Sequence, residues 1–175
     1  MVYVDFEIKT LRTMGDVEIT PYKDENVKPN SYEVHLGKEI IIMGDGSKKP
    51  YKSYLPYTLK HGEFILGTTQ EKITIRRRSV GILKGKSTNA RRGLIVETAG
   101  VVDTGFSGEL TLEMFNMWTD MELTEGMPIA QLIFFKSYQP NVLYGDEKAD
   151  SHYQNQDGPT LPYNLKVDEK KRGTK

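Results

Sequence analysis

Glu109-Leu110-Thr111-Leu112-Glu113-Met114-Phe115 alternates apolar and polar side chains with a period of two. In an extended chain that places Leu110, Leu112 and Met114 on one face and Glu109, Thr111, Glu113 and Phe115 on the other, the pattern of a strand with one buried side. Working outward, Gly93-Leu94-Ile95-Val96-Glu97 precedes it and Gln131-Leu132-Ile133-Phe134-Phe135 follows it. Glu63-Phe64-Ile65-Leu66-Gly67 and Lys72-Ile73-Thr74-Ile75 read as two more strands. Sixteen glycines and eight prolines are spread evenly and keep the apolar runs short. The chain is therefore mainly β, with many short strands joined by turns at a spacing that fits a barrel or sandwich. Asp45-Gly46-Ser47-Lys48-Lys49 predicts a hairpin-type turn, and Asp24-Glu25-Asn26-Val27 a polar turn between Pro21 and Pro29. Ser87 to Arg92 predicts one short helix with Ser87 as its N-cap. After Ser137 the strand rhythm fades into a polar, aromatic segment, and residues 166–175 form a charged tail expected to fray.

Composition narrows the function. A chain of 175 residues is one domain's worth, placed here at residues 1–165. There is no cysteine, which excludes disulfides, thiolate metal sites and cysteine nucleophiles. Twenty-four basic residues balance twenty-four acidic ones, so no net field favours nucleic acid or a membrane surface. Met1 to Leu11 carries charges every few residues and does not read as a signal peptide, and no run approaches the ~20 apolar residues of a membrane span. A soluble, cytoplasmic protein is expected. His35, His61 and His152 are dispersed, so the ligand set of the zinc deaminases cannot be assembled. No Gly-x-Ser-x-Gly elbow is present.

Three polar features stand out. Gly85-Lys86-Ser87-Thr88-Asn89-Ala90-Arg91 concentrates hydroxyls and cations at a helix start. That combination suits phosphate oxygens, and taken alone it suits a solvated helix cap as well. Ala99-Gly100-Val101-Val102-Asp103-Thr104-Gly105-Phe106-Ser107-Gly108 is glycine-rich around an aspartate that either serves a ligand or bonds its own turn. Glu113 shares its face with Phe115, odd company for a solvated surface. A partly closed pocket on that side would let a carboxyl group pass protons near neutral pH, whereas an ordinary strand glutamate would do nothing.

Together these segments resemble the dCTP deaminase family of the dUTPase-like superfamily. The family pattern is Gly-Arg-Ser-Ser-Leu-Ala-Arg, then Thr-Ala-x-x-Ile-Asp-Pro-Gly-Phe-x-Gly, then Thr-Leu-Glu-x-x-Asn. Here Gly85 to Arg91, Thr98 to Gly108 and Thr111 to Asn116 stand in that order. Ile19 to Pro21 followed by Lys28 to Gly37, Phe64 to Thr69, Gly126 to Phe134 and Tyr153 to Thr160 are similar to its flanking pieces, so the likeness runs over about residues 18–160. It implies a distorted β-barrel with short helices, a homotrimer with sites between subunits, and zinc-independent deamination of dCTP to dUTP with release of ammonia. Mg²⁺ would ride on the triphosphate, dTTP would be a candidate inhibitor, and the product would feed thymidylate synthesis. A bifunctional enzyme giving dUMP and pyrophosphate is the alternative. A dUTP diphosphatase and a non-catalytic nucleotide-binding regulator are further readings.

Residue by residue, the resemblance makes Glu113 the general acid/base, with Ser87 and Arg91 holding the attacking water and orienting the glutamate. Lys86, Thr88 and Ala90 fall at nucleotide-binding positions of the same motif, the first two on phosphate. Asp103 falls on the sugar, and Thr111 and Leu112 offer backbone groups to the base. Gln131, Tyr144, His152 and Gln156 match further nucleotide contacts, and residues 144–160 would close as a lid. This sequence departs from the pattern at Lys86, which stands where the family has arginine, and at Asn89, where it has leucine. Glu33 and His35 replace an aspartate and an arginine, and His152 replaces a lysine. Lysine at 86 loses the two-pronged grip of a guanidinium on phosphate.

Overall fold

The computed structural model describes residues 1–44, 46, 49–96 and 99–167. In chain order it contains helix α1 (Asp5–Thr13), strand β1 (Val17–Thr20), a 3-10 turn (Asp24–Asn26), β2 (Val27–Lys28), β3 (Ser31–His35) and β4 (Glu39–Ile42). There follow β5 (Tyr51–Tyr54), β6 (Tyr57–Leu59), β7 (Phe64–Ile75), β8 (Ser79–Gly85), helix α2 (Ser87–Ala90), β9 (Leu94–Val96) and β10 (Val101–Val102). β11 (Ser107–Asn116), β12 (Met121–Leu123) and β13 (Pro128–Lys136) complete the set. One sheet runs β5-β4-β7-β11-β9 with β1 also on β7; a second runs β10-β8-β13-β3-β2; β12 and β6 form a ribbon. The protein is mainly β with few helices, as expected, and among the described residues the two sheets and the ribbon pack around a common core. No helix among the described residues is long and apolar enough to cross a membrane.

β7 is the central strand, pairing with β1, β4 and β11. The sequence pattern splits it in two around the polar stretch Thr68-Thr69-Gln70-Glu71, yet the structure carries one strand through. The reason lies in side-chain hydrogen bonds. The Thr69 hydroxyl donates to the Glu71 carbonyl at 2.7 Å and accepts from the Leu110 N–H at 2.9 Å. It thereby replaces the ladder bond lost at the register shift between Glu109 and Thr111. Facing this seam, Leu112 and Met114 are fully buried beside Ile65 and Leu36.

α1 was not legible in the charged N-terminal segment. Ile8 and Leu11 supply a narrow buried stripe. The Glu7 carboxylate accepts the Val4 N–H at 3.1 Å and the Lys136 ammonium at 2.6 Å, capping the helix and tying it to β13. In α2 the N-cap is Lys86 rather than the expected Ser87, and no side chain caps the helix; Ser87 is its first residue. Three parts of the sequence reading lie outside the described residues: Asp45, Ser47 and Lys48 of the predicted hairpin turn, Glu97 and Thr98, and the tail beyond Val167.

The turn from α2 into β9 is shaped by Gly93, whose φ is +88°. A Cβ there would meet the Trp118 Cβ at 2.5 Å and its backbone nitrogen at 2.9 Å. The loop Asn116 to Asp120 cannot easily give way. The Asn116 amide is buried, donating to the carbonyls of Leu59 at 3.0 Å and Thr119 at 2.8 Å. Gly93→Ala should therefore destabilise the protein by about 1–3 kcal/mol in urea unfolding. An unchanged midpoint would contradict this account of the turn.

Candidate active site

The outward face of β11 carries Ser107, Glu109, Thr111, Glu113 and Phe115, and the structure puts each of them to use. Hydrogen-bond direction alternates along the strand. Leu110 and Asn116 donate toward β7, whereas Glu109 donates to the Gln156 carbonyl at 3.0 Å and Met117 to the Gly93 carbonyl at 2.8 Å. By that parity the main-chain groups of Thr111 and Glu113 point to the edge away from β7, and those of Leu112 point toward it. Leu112 thus belongs to the core in both side chain and main chain.

The segment after Leu143 lies along this edge. The Asn155 N–H donates to the Ser107 carbonyl at 2.7 Å, and the Gln154 side chain bridges the Ser107 N–H and the Gly105 carbonyl. Glu109 Oε2 accepts the Gly158 N–H at 2.8 Å and the Thr68 hydroxyl at 3.0 Å. Thr111 Oγ1 accepts the Thr160 N–H at 3.1 Å and donates to Gln156 Oε1 at 2.6 Å. With its oxygen engaged by Thr111, the Gln156 amide has its NH₂ group left to donate elsewhere.

Beneath this segment lies a cavity of about 350 Å³ whose lining includes Asp103, Thr111, Glu113, Tyr144 and Gln156. Five of the sequence-predicted site residues are brought together there. Its apolar wall includes Phe106, which packs edge-on to Tyr144 at 5.7 Å between ring centroids. Tyr153, Thr160 and Pro162 also line it and were not singled out beforehand as site residues. Beyond Glu113 the face becomes apolar: Phe115 stands opposite Phe64 and Ile95 on the neighbouring strands, all three more than a third exposed. That accounts for the odd company noted in the sequence.

Lys86, Ser87, Thr88, Ala90 and Arg91 form a second group around α2 that does not line this cavity, and neither do Leu112, Gln131 and His152. Ser87, Thr88, Ala90 and Arg91 are exposed on and just after α2. The departure at Asn89 has a local reason: its buried amide donates to the Pro128 carbonyl at 3.0 Å and anchors α2 to β13. Lys86 is ion-paired and hydrogen-bonded to Glu33, with Lys28 Nζ 3.8 Å from the other Glu33 oxygen. Burial pushes the Glu33 carboxyl up, but the hydrogen bond and charge of Lys86, with help from Lys28 and His35, outweigh it and hold the group below its ordinary value. Gln131 sits directly opposite Glu33 across the β13–β3 pair. The departure at His35 is also paired: Nδ1 lies 2.7 Å from the buried Glu71 carboxylate, whose second oxygen accepts the His35 N–H at 2.9 Å. His152 stacks on Tyr163 at 4.4 Å and lies 3.8 Å from Asp150.

Residues 2–137 match the family model described as dCTP deaminase-like. A Corynebacterium diphtheriae protein named dCTP deaminase, dUMP-forming, is 34% identical over 178 residues, covering 91% of this chain and 95% of its own. A Methanoregula boonei protein of the same name is 32% identical over 176 residues, covering 92% and 96%. Among solved structures, the 2'-deoxycytidine 5'-triphosphate deaminase of Agrobacterium tumefaciens superposes with a TM-score of 0.64 at 17% identity, over 76% of this chain and 47% of that one. A phage phi11 dUTPase, described as coordinating a structural Mg(II) ion, gives 0.52 at 15% identity, over 72% and 94%. The fold is thus dUTPase-like, and with a family match over most of its length and relatives this similar along nearly all of it, the chain belongs to the dCTP deaminase-like family.

Proposed function

We propose that the protein hydrolyses dCTP at both ends, releasing ammonia from the base and pyrophosphate from the nucleotide to leave dUMP, a precursor for thymidylate. The observation that carries this reading is Glu113, half-buried in the cavity beside Asp103, Thr111 and Gln156. The names of the curated relatives favour dUMP over dUTP as the final product. In the deamination half, Glu113 takes a proton from the water that attacks cytosine C4. It passes that proton to N3, then takes the second from the C4 hydroxyl and gives it to the amine, which leaves as ammonia while the C4 carbonyl forms. The main-chain groups of Thr111 and Glu113 lie on the edge that a flat base would reach, and the free NH₂ of Gln156 is held in place by Thr111.

In this reading the second group completes the site from a neighbouring subunit of a homotrimer. Ser87 and Arg91 would then reach the reacting water, while Lys86, Thr88 and Gln131 meet phosphate. The exposed row of Phe64, Phe115 and Ile95 supports burial of that face between subunits. Among the described residues no three His, Asp or Glu side chains converge to hold a metal ion. In this reading Mg²⁺ accompanies the triphosphate oxygens, where it would neutralise charge. Residues 144–160 act as a lid, held on β11 by the Glu109 and Thr111 contacts.

Incubating the protein with dCTP and Mg²⁺ and resolving the products should give dUMP, ammonia and pyrophosphate together. Accumulation of dUTP would limit the enzyme to deamination, and an absence of ammonia would overturn the reading. Glu113→Gln keeps the shape but cannot take the proton, so deamination should fall by at least ~10²-fold while dCTP still binds. Near-normal turnover in the folded variant would remove Glu113 from its role. Chelation with EDTA should be fully reversed by Mg²⁺ alone; a requirement for zinc would contradict the metal assignment.

The lid is tested by hydrogen exchange. Amides of residues 144–160 should slow when dCTP binds to Glu113→Gln. Thr111→Val removes the acceptor of the Thr160 N–H, so exchange at that amide should quicken by about tenfold or more. Protection that is the same with and without nucleotide would make the segment fixed structure.

A further inference from the structure

The cationic group at the start of α2 is not free in this protein. Lys86 is engaged by Glu33, the two side chains being only 20% and 12% exposed. Lys28 stands on the opposite side of the same carboxylate at 3.8 Å, and its ammonium also donates to the Glu25 carbonyl at 2.8 Å. Backbone geometry brings the two side chains within reach. Glu33 on β3 lies directly across from Gln131 on β13, and Gln131 lies directly across from Lys84 on β8, two residues before Lys86. A carboxylate is thus fixed next to the ammonium that the proposed function assigns to phosphate.

We infer that Glu33 is an internal competitor of the nucleotide phosphates for Lys86, and that Lys28 holds Glu33 when the exchange takes place. This rests on the reading of Lys86 as a phosphate contact. A phosphate arriving at Lys86 meets the negative charge of Glu33 at close range. Binding is favourable only if Lys86 leaves the carboxylate and a second cation stays beside it. Lys28 is that cation, already within Coulombic reach and more exposed than Lys86. Glu33 therefore sets phosphate affinity as a specificity-determining residue without touching the base. A ligand carrying more phosphate charge displaces it more readily than one carrying less, so the pair selects for the triphosphate.

The sign of the effect separates this inference from a simple structural ion pair. Glu33→Gln removes the competing charge and keeps the shape. It should bind dCTP and inorganic tripolyphosphate roughly threefold to tenfold more tightly, the range of a partly exposed charge pair. KM for dCTP should fall while kcat is unchanged. Lys28→Gln, at a more exposed position, should do the reverse and weaken both ligands by a few-fold, and it should have no effect in a Glu33→Gln background. Lys86→Gln should weaken both ligands in every background.

Calorimetric titration of the full-length protein with dCTP, dCMP and tripolyphosphate, with melting curves to establish folding, reads all of these. If Lys86→Gln weakens dCTP while Glu33→Gln is neutral or also weakens it, the competition is overturned and the phosphate assignment survives. If Lys28→Gln weakens binding equally without Glu33, Lys28 acts on phosphate directly and the exchange is overturned. If Lys86→Gln leaves dCTP affinity intact, the phosphate assignment itself fails and the inference goes with it.

Discussion

The two-residue pleat of β11, held in register by β7, governs what this molecule can do. Once Leu110, Leu112 and Met114 are committed to the core, Glu109, Thr111 and Glu113 must face outward at fixed intervals of about 7 Å. A slip of one residue would bury two carboxylates and expose the hydrophobic seam, so burial energy and the placement of Glu113 are the same constraint. The register shift between Glu109 and Thr111 would weaken the pairing at its centre. Thr69 repairs it with its hydroxyl, and the strand remains straight enough to carry a row of polar groups.

That row divides its labour. Its first members bind the polypeptide itself: Glu109 and Thr111 accept the Gly158 and Thr160 N–H groups and seat the C-terminal segment. Glu113, next along, is left in the cavity that the segment covers. Phe115, the last, joins an apolar row suited to contact with another surface. The phosphate-binding candidates sit elsewhere, around α2, where Asn89 anchors the helix and Glu33 holds Lys86. The same region also carries Ser87 and Arg91, which the proposal gives to the reacting water, apart from the cavity that holds Glu113.

β11 and its two faces were legible because a half-buried strand writes its period directly into sequence. The gathering of Asp103, Thr111, Glu113, Tyr144 and Gln156 was legible only through family resemblance, since their contacts span distant parts of the chain. β7 was read as two strands because Thr68 to Glu71 lacks apolar alternation; its continuity depends on a hydroxyl bond to Leu110, invisible to periodicity. α1 was missed because two buried residues in nine make a weak stripe among charges. The partner of Lys86 could not be read either. Glu33 lies 53 residues away and meets it only through the order β8-β13-β3. Both residues had been noted as departures, but singly.

The central claim is that Glu113 and the Ser87–Arg91 group act together across subunits. Mixing two inactive variants tests it most directly. The Glu113→Gln and Arg91→Ala proteins should each be nearly inactive alone. Dissociated, mixed in equal amounts and reassembled, they should recover activity in about a quarter of the sites, those that draw an intact residue from each chain. Mixed trimers that remain as inactive as their parents would show that both groups must come from one chain, and the inter-subunit site would be wrong.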